Sequence, residues 1–264
     1  MTALWFQFLI KQTSSLQEAS KELSLHQVQD LSSYIDLEKN TQFLYGQGQL
    51  SLFPSTWEHI QSAQTIQVNW EEQWRLFCPY FQGDFCKIPL SLFSQESKQE
   101  LLLSPGPGFG DLSHPTTHLV LSLLPQYIKD KVVLDLGCGS GILGLAALLL
   151  GAKYCYSLDI DPEAIAHTKK NARQNNLQDL LSASREQTNF MTSPEVLLLN
   201  MTFAEQKLAL SSLPQDLLSS LTWITSGILS SQKQKYQDFL SSFPLSLLAI
   251  KEQEGWCSFV LEPK

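Results

Sequence analysis

The stretch Val132-Val-Leu-Asp-Leu-Gly-Cys-Gly-Ser-Gly141 decides the fold, because an apolar run ends there in three alternating glycines. The residues that follow, 142–150, are apolar and predict a buried helix. This order indicates a strand, a tight turn and the N-terminus of a helix. Gly137, Gly139 and Gly141 allow the backbone to turn sharply and to lie close to a ligand. We expect polar groups of that ligand to meet free N–H groups at the start of the helix.

An acidic residue follows this glycine loop at the spacing of a nucleotide site. Residues 153–161 predict the next strand, and Asp159, near its end, lies 22 positions after Gly137. An acidic side chain at that place accepts hydrogen bonds from ribose hydroxyls. Turns of purely structural purpose use the same glycines. A strand, loop, helix, second strand and acid in this register nevertheless favour a cofactor that contains a nucleoside.

The loop differs from the dinucleotide-binding form. Its spacing is Gly-x-Gly-x-Gly rather than Gly-x-Gly-x-x-Gly, and Asp135 stands just before it, where a phosphate would be repelled. An acid at this point favours a cationic ligand. S-adenosylmethionine (SAM) carries an ammonium, a sulfonium and ribose hydroxyls, but no pyrophosphate. We therefore expect SAM as the cofactor, with Asp135, Gly137, Gly139 and Asp159 among its binding residues.

Two segments around this loop resemble a known family. VVLDLGCGSGILGLAALLLGA at 132–152 and LDIDPEA at 158–164 are similar to class I SAM-dependent methyltransferases, and more narrowly to the PrmA family, which methylates ribosomal protein eleven of the large subunit. Residues 226–232 and 255–257 resemble the family as well. The resemblance implies an α/β, Rossmann-like sheet with a C-terminal antiparallel hairpin. It also implies methyl transfer to lysine side chains and to an α-amino group of the ribosomal protein.

A motif before the glycine loop departs from the family in its centre. The family carries Phe-Gly-Thr-Gly-Thr-His-Pro-Thr-Thr where this chain has Phe109-Gly-Asp-Leu-Ser-His-Pro-Thr-Thr117. Thr117 matches a position that contacts SAM in the family, so we expect it to bind the cofactor. The changed loop bears more on substrate geometry than on cofactor binding. His114 is compatible with a structural role beside Pro115 and with a catalytic one.

Residues 195–200 predict a buried parallel strand that ends in a polar amide, Asn200. Ligands of this architecture bind at the carboxyl edge of the sheet. We therefore expect Asn200 at the reaction mouth, as a cofactor contact and as the candidate catalytic residue, and a plain strand-end cap is the alternative. The family continues this strand as Asn-Ile-Leu-Ala, whereas this chain has Asn200-Met-Thr-Phe203. The sequence shows no strong general base.

The first part of the chain predicts a small α+β domain with the order βαββαβ, as in ferredoxin-like units. Its elements are expected at residues 4–10, 14–25, 28–37, 43–53, 54–60 and 65–70. The resemblance implies substrate recognition for this domain, and a structural or oligomerisation role is the alternative. We divide the chain into a ferredoxin-like domain at 1–69, an interdomain connector at 70–100 and a SAM-dependent methyltransferase domain at 101–264.

Two further segments are interpreted from residue spacing. Trp70 and Trp74 are one helical turn apart, which indicates packing, and a similar Trp-x-x-x-Trp run joins the two domains in the family. Residues 166–176 are polar and predict a helix with a solvated face.

The bulk composition limits the class of partner. A net charge of −8 and a pI near 5.1 argue against a broad phosphate-binding surface, so we expect a basic protein partner, the ribosomal protein, and no direct nucleic-acid binding. The cysteines form no Cys-x-x-Cys pair and have no histidine at zinc spacing, so no metal is expected. No basic leader and no bilayer-length apolar run are present. We expect a cytoplasmic monomer.

The sequence also contains features of other functions. Tyr127 and Lys131 have the Tyr-x-x-x-Lys spacing of nicotinamide-dependent dehydrogenases, but they precede the glycine loop instead of lying far after it, which indicates chance. A non-catalytic adaptor that binds SAM is an alternative, because the changed segments 111–113 and 201–203 lie where the amine should approach. A methyltransferase that acts on another protein, a small molecule or RNA is also open, and the acidic charge disfavours RNA.

Overall fold

The computed structural model describes residues 4–10, 23, 29–36, 41–48, 60–65, 70–185 and 190–264. The chain divides into two compact units, Met1–Asn69 and Trp70–Lys264.

A four-stranded antiparallel sheet is described in the first unit. Its strands are β1 (Leu4–Ile10), β2 (Gln29–Asp36), β3 (Thr41–Gly48) and β4 (Ile60–Thr65). They lie in the order β2-β3-β1-β4. The first three agree with the predicted strands within a few residues. Of the strand predicted at 65–70, only the two end residues are described: Thr65 is the last residue of β4, and Trp70 begins a helix.

Little of the predicted helices in this unit can be compared with the structure. Of the helix predicted at 14–25, only Leu23 is described, and it is helical. Of the one predicted at 54–60, only Ile60 is described, and it begins β4.

Residues 70–103 form a helix and a small antiparallel sheet that pack within the second unit. Their elements are α1 (Trp70–Phe77), β5 (Phe81–Gln82), β6 (Phe85–Pro89), a short 3-10 helix (Leu90–Leu92) and β7 (Glu100–Leu103). Trp74, Ile88 and Leu101 are buried in the same apolar cluster as residues of the main sheet. The segment expected to connect the domains is thus part of the second compact unit.

A seven-stranded sheet forms the centre of the second unit. Its strands are β8 (Val132–Leu136), β9 (Tyr154–Leu158), β10 (Leu181–Ser184), β11 (Val196–Asn200), β12 (Thr222–Leu229), β13 (Leu245–Gln253) and β14 (Trp256–Pro263). They lie in the order β10-β9-β8-β11-β12-β14-β13. The first five are parallel, and β14 is antiparallel to both β12 and β13. This confirms the predicted Rossmann-like sheet and its C-terminal antiparallel hairpin.

Helices cover both faces of this sheet. They are α2 (Pro115–Leu121), α3 (Leu124–Tyr127), α4 (Ile142–Leu149), α5 (Pro162–Gln174), α6 (Phe203–Ser211), α7 (Gln215–Ser220) and α8 (Lys233–Leu240). Successive strand residues point to opposite faces. Leu198 accordingly joins a buried cluster with residues of α2 and α4, whereas Leu197 joins one with residues of α6 and α8. Burial on both faces explains the continuous apolar runs of the parallel strands.

The strand order also determines where the candidate residues meet. β9, β8 and β11 are neighbours and run parallel. Asp159 follows β9, Gly137 follows β8, and Asn200 ends β11. All three residues therefore lie at the carboxyl edge of the sheet.

Candidate active site

The glycine loop joins β8 to α4. Gly137, Gly139 and Gly141 have φ angles of 78°, 55° and 83°, a region that glycine adopts with little strain. A Cβ atom at Gly137 would lie 2.5 Å from the sulfur of Met201, and one at Gly139 would lie 2.5 Å from the carbonyl oxygen of Phe109. Glycine is needed here both for the backbone conformation and for the close approach of neighbouring segments.

The backbone N–H groups of this loop have acceptors within the chain. Those of Gly137 and Cys138 bond to the carbonyl of Leu158, and that of Ser140 bonds to the carbonyl of Phe109. The last residue of β9 and the segment before α2 thus supply carbonyl oxygens that accept the N–H groups of the loop.

The free N–H groups were expected at the start of α4. There the N–H of Ile142 bonds to Ser140 Oγ at 3.3 Å, and that of Gly144 bonds to Asp135 Oδ2 at 3.0 Å. The expectation is therefore wrong for these two groups.

Asp159 stands directly after β9, beside the glycine loop. Its Oδ2 accepts the N–H of Gly139 at 3.0 Å, and its Oδ1 accepts the N–H of Asp161 at 3.0 Å. Burial raises the pKa of this carboxyl, and the hydrogen bonds from Asp161 and Gly139 oppose the rise. The residue is half-buried. Its carboxylate is thus held in a defined orientation with part of its surface open.

Asp135 lies inside β8 and is only 1% exposed. Its Oδ2 accepts the N–H of Gly144, in the first turn of α4, at 3.0 Å. Burial raises the pKa of Asp135 to about 7, although the hydrogen bond from Gly144 favours the charged form. The structure places this carboxyl behind the glycine loop, where it ties β8 to α4.

Thr117 lies in α2 and is fully buried. Its Oγ1 has no hydrogen-bond partner among the residues that the structure describes. Buried hydroxyls rarely lack a partner in a protein, so each such atom requires an explanation. A polar ligand that reaches Thr117 would supply the missing partner.

His114 caps the N-terminus of α2. Its Nδ1 accepts the N–H of Thr116 at 3.3 Å and lies 2.8 Å from the Thr116 hydroxyl. Burial lowers the pKa of His114, which favours the neutral ring that an acceptor requires. Of the two roles considered for this residue, the structure displays the structural one.

Asn200 is half-buried at the end of β11. Within the described ranges its side chain has no hydrogen bond, so it is not used there as a strand-end cap. The next residue, Met201, lies over Gly137. The structure thereby brings the end of β11 against the glycine loop and leaves the amide available.

These features agree with a comparison to models of protein families. Residues 5–264 match the model for ribosomal protein L11 methyltransferase (PrmA). The chain belongs to the PrmA family. PrmA proteins are SAM-dependent methyltransferases, so the predicted enzyme class and cofactor are confirmed.

Individual PrmA proteins are similar over most of the chain. The ribosomal protein L11 methyltransferase of Carboxydothermus hydrogenoformans is 33% identical over 212 residues, which is 76% of this chain and 68% of that protein. The one from Acinetobacter baylyi is 34% identical over 239 residues, 87% of this chain and 77% of that protein. The crystal structure of ribosomal protein L11 methylase from Lactobacillus delbrueckii subsp. bulgaricus covers 67% of this chain and 98% of its own, with a TM-score of 0.57 and 23% identity. The last likeness shows the fold.

Sequence reasoning missed one face of α5. His167, Thr168 and Asn171 are buried, so the solvated face predicted for this segment is wrong for these three residues. Asn171 accepts the N–H of Ser104 at 2.9 Å and donates to the carbonyl of Ser140 at 2.8 Å. The side-chain oxygen and nitrogen of Asn171 thus both have hydrogen-bond partners in the loop backbone, so burying the amide leaves neither atom unpaired.

The other two residues of this face bind the same loops. Thr168 donates to the carbonyl of Gly139 at 3.0 Å, and His167 Nδ1 accepts the N–H of Gly108 at 3.2 Å. α5 therefore joins the segment before α2 to the glycine loop. The signal in the sequence was that uncharged polar residues share one helical face, whereas Lys169, Lys170 and Arg173 lie elsewhere around the helix.

A second missed group is a buried hydrogen-bond network below Asn200. Gln206, in α6, is fully buried, and its Nε2 donates to the carbonyls of Met201 at 2.8 Å and Ser226 at 2.7 Å. The hydroxyl of Tyr236 bonds to Gln206 Oε1 and to Thr225 Oγ1. The network fixes the chain directly after Asn200. Gln206 stands between Glu205 and Lys207 in the sequence, so nothing there indicated that its side chain is buried.

The changed loop before α2 has an unusual backbone. Leu112 stands where the PrmA motif has its second glycine, and its φ of 69° lies in the left-handed region. Its side chain is buried in the core. The carbonyl of Asp111 accepts hydrogen bonds from the thiols of Cys78 at 3.2 Å and Cys86 at 3.6 Å. The packing of the Leu112 side chain and the two thiol hydrogen bonds thus stabilise a backbone conformation that glycine adopts more readily than leucine.

The described part of the chain offers no group of three or more His, Cys, Asp or Glu side chains that could hold a metal ion. The five cysteines are free thiols. Among the described helices, none combines the length and the hydropathy needed to cross a membrane.

Proposed function

We propose that this chain transfers methyl groups from SAM to amino groups of ribosomal protein L11, the ribosomal protein eleven expected from the sequence. The observation that supports this best is the PrmA match over residues 5–264. The meeting of Gly137, Asp159 and Asn200 at one edge of the sheet is consistent with it. The acceptors that we propose are lysine side chains and the N-terminal amine.

The cofactor contacts are assigned residue by residue. Asp159 binds the ribose hydroxyls, since its half-buried carboxylate is an acceptor at the loop. Gly137 and Gly139 receive the methionine part, because they form the turn between β8 and the N-terminus of α4 at the carboxyl edge of the sheet. Thr117 offers a buried hydroxyl without a partner in the described chain. Asp135 supports the cofactor site from behind the glycine loop, because its hydrogen bond to Gly144 ties β8 to α4.

Bound SAM supplies a methyl group on a sulfonium, and the protein must hold a neutral amine in line with it. A lysine amine has an unperturbed pKa of about 10.4 and is protonated near neutral pH, so a proton must leave first. We assign the orientation of the amine to Asn200, whose carbonyl is an acceptor at the carboxyl edge. The side chain is half-buried and makes no other hydrogen bond in the described residues.

For residues 1–69 we propose a ferredoxin-like unit that recognises the substrate, with residues 70–100 leading to the catalytic domain at 101–264. The antiparallel order β2-β3-β1-β4 supports this, because ferredoxin-like βαββαβ units contain such a sheet. A ribosomal protein as the substrate also favours the cytoplasm as the place of action.

The test is the intact mass of ribosomal protein L11 from the same organism after incubation with this protein and SAM. We expect the mass to rise by successive methyl increments, and we expect Asp159→Ala to abolish the rise. Peptide mapping of the product would then identify the acceptor amines. An unchanged mass, with SAM binding confirmed in parallel, would contradict the proposed substrate.

The second candidate is a non-catalytic adaptor that binds SAM. It is favoured by the changed segments 111–113 and 201–203, of which the first holds Leu112 in a glycine-like conformation. The mass experiment separates the two proposals, because an adaptor binds SAM without producing a methylated protein.

A further inference from the structure

Three aromatic rings meet beside the glycine loop. The ring of His114 lies between those of Trp256, at a centroid distance of 4.9 Å, and Phe109, at 5.7 Å, and both contacts are edge to face. Phe109 is 56% exposed. A large apolar ring in such an exposed place is free to contact a ligand.

This cluster lies at the carboxyl edge of the sheet, with the cofactor residues. The carbonyl of Phe109 accepts the N–H of Ser140 in the glycine loop at 2.9 Å. Trp256 begins β14 opposite Leu229, the last residue of β12. β12 also pairs with β11, which ends at Asn200. The rings therefore stand on the side where the acceptor amine must approach.

Two carboxylates stand beside the cluster in the chain. Asp111 lies between Phe109 and His114, and Glu254 lies two positions before Trp256. The charge of each opposes the lowering of the pKa of His114 by burial. Asp111 is half-buried, and its Oδ1 accepts the N–H of Ser113 at 2.9 Å, which fixes its position. Glu254 is exposed in the turn before β14. Aromatic faces together with carboxylates attract cations, and methylated ammonium groups in particular.

We propose that Phe109, His114 and Trp256, with Asp111 and Glu254, form a docking site for the lysine cation of the protein substrate, in its unmodified and its methylated forms. This proposal rests on the proposed function. The negative charge of the site favours the protonated amine, so the site binds the cation at the entrance. Transfer follows after the ammonium has released its proton to water beside Asn200. A partly methylated lysine remains a cation at neutral pH, so the site retains it for the next transfer.

The direct test uses small probes and no catalysis. The cationic probe is N-acetyl-trimethyl-lysine methylamide, and the matched neutral probe is N-acetyl-norleucine methylamide. We expect NMR titration to shift the indole N–H signal of Trp256 with the cationic probe and much less with the neutral one. Trp256→Ala should weaken binding of the cationic probe by about five- to thirtyfold. Asp111→Asn and Glu254→Gln should weaken it less and reduce its dependence on salt.

A matched control is available at the opposite, amino edge of the sheet. Tyr154, the first residue of β9, contacts Tyr156 edge to face at a ring distance of 4.9 Å. Tyr154→Ala should leave binding of the cationic probe unchanged. Thermal melting of each variant verifies the fold. Equal binding of the two probes, or binding that Trp256→Ala does not weaken, would overturn the docking site.

A kinetic arm separates this proposal from the proposed function. With ribosomal protein L11 as substrate, Trp256→Ala should raise the KM for that protein and shift the products toward fewer methyl groups, while SAM affinity stays unchanged. Normal KM and products in that variant would overturn the docking site and leave the function intact. Cation binding that depends on Trp256, in a protein that does not methylate L11, would support the site and overturn the function.

Discussion

The amide of Gly139 donates a 3.0 Å hydrogen bond to the carboxylate of Asp159, across 20 positions of the sequence. This bond links the ends of two neighbouring strands, β8 and β9, at the carboxyl edge of the sheet. The acid proposed to bind ribose therefore also shapes the loop proposed to bind the methionine part. A change at Asp159 acts on both.

Replacing Asp159 by Asn removes the negative charge and keeps an oxygen acceptor. We expect SAM affinity, measured by calorimetry, to fall about tenfold or more, because hydrogen bonds to a charged acceptor are roughly twice as strong as neutral ones. The matched control is Asp161→Asn, since Asp161 is an exposed acid that caps α5. Its amide retains the cap, so SAM affinity should not change. Equal losses in the two variants would contradict the ribose assignment.

Thr117→Val removes a buried hydroxyl that has no partner in the described chain. Loss of an unpaired polar group costs little stability, because a desolvation penalty disappears with it. We expect the melting temperature to stay the same or rise, while SAM affinity falls about fivefold to tenfold with the loss of one hydrogen bond. Ser258→Ala, at another unpartnered buried hydroxyl, is the control. Unchanged SAM affinity in Thr117→Val would remove this residue from the site.

Gln206→Leu leaves the carbonyls of Met201 and Ser226 without their donor. Each buried group left unpaired costs about 1–3 kcal/mol, so we expect chemical denaturation to show a stability loss in that range or above it. We also expect a lower kcat, because the chain after Asn200 loses its support. Gln234→Leu, at an exposed glutamine in α8, should have little effect. Full activity in a Gln206→Leu protein that is destabilised would limit this network to stability.

Leu112→Gly tests two opposing effects at the changed loop. Glycine removes the left-handed strain of a leucine, worth about 1–2 kcal/mol, but deletion of a buried leucine side chain costs about 2–5 kcal/mol. Packing should win, so we expect a net loss of stability in urea denaturation. A gain in stability would show that the backbone strain at φ 69° exceeds the value of the packing.

The sheet could be predicted from the sequence because buried parallel strands require apolar runs, and the glycines and Asp159 mark the loops at its carboxyl edge. The antiparallel end at Trp256 was predictable as well. What escaped prediction are side chains whose partners are distant in sequence. Asn171 joins Ser104 to Ser140, and a polar residue paired through the fold looks the same in sequence as one paired with water.

The state of the loop N–H groups escaped prediction for the same reason. A glycine loop before a helix suggests open donors, but the acceptor for Ser140 is the carbonyl of Phe109, which comes from a separate segment. The local sequence predicts the conformation of the backbone well. It does not predict which distant segment supplies the acceptors for the backbone N–H groups of the loop.

The buried carboxyl of Asp135 makes stability depend on pH. Its folded-state pKa of about 7 lies above the ordinary value of 3.8. Between these pH values the folded protein holds a proton that the unfolded chain has released, so stability falls as pH rises. The contribution of the neutral carboxyl is fully present below about pH 4 and is lost as pH passes about 7. The whole shift of the pKa of Asp135, from 3.8 to about 7, corresponds to roughly 4 kcal/mol of folding free energy.

Asp135→Asn imitates the neutral carboxyl, because its amide oxygen still accepts the N–H of Gly144. We expect the stability of this variant relative to the unaltered protein to increase by about 2 kcal/mol between pH 5.5 and pH 8.5. Urea denaturation at a series of pH values measures this difference. Asp161→Asn, at an exposed acid, should give a difference that is nearly constant with pH. A constant difference for Asp135→Asn as well would mean that Asp135 is ionised in the folded protein throughout this range.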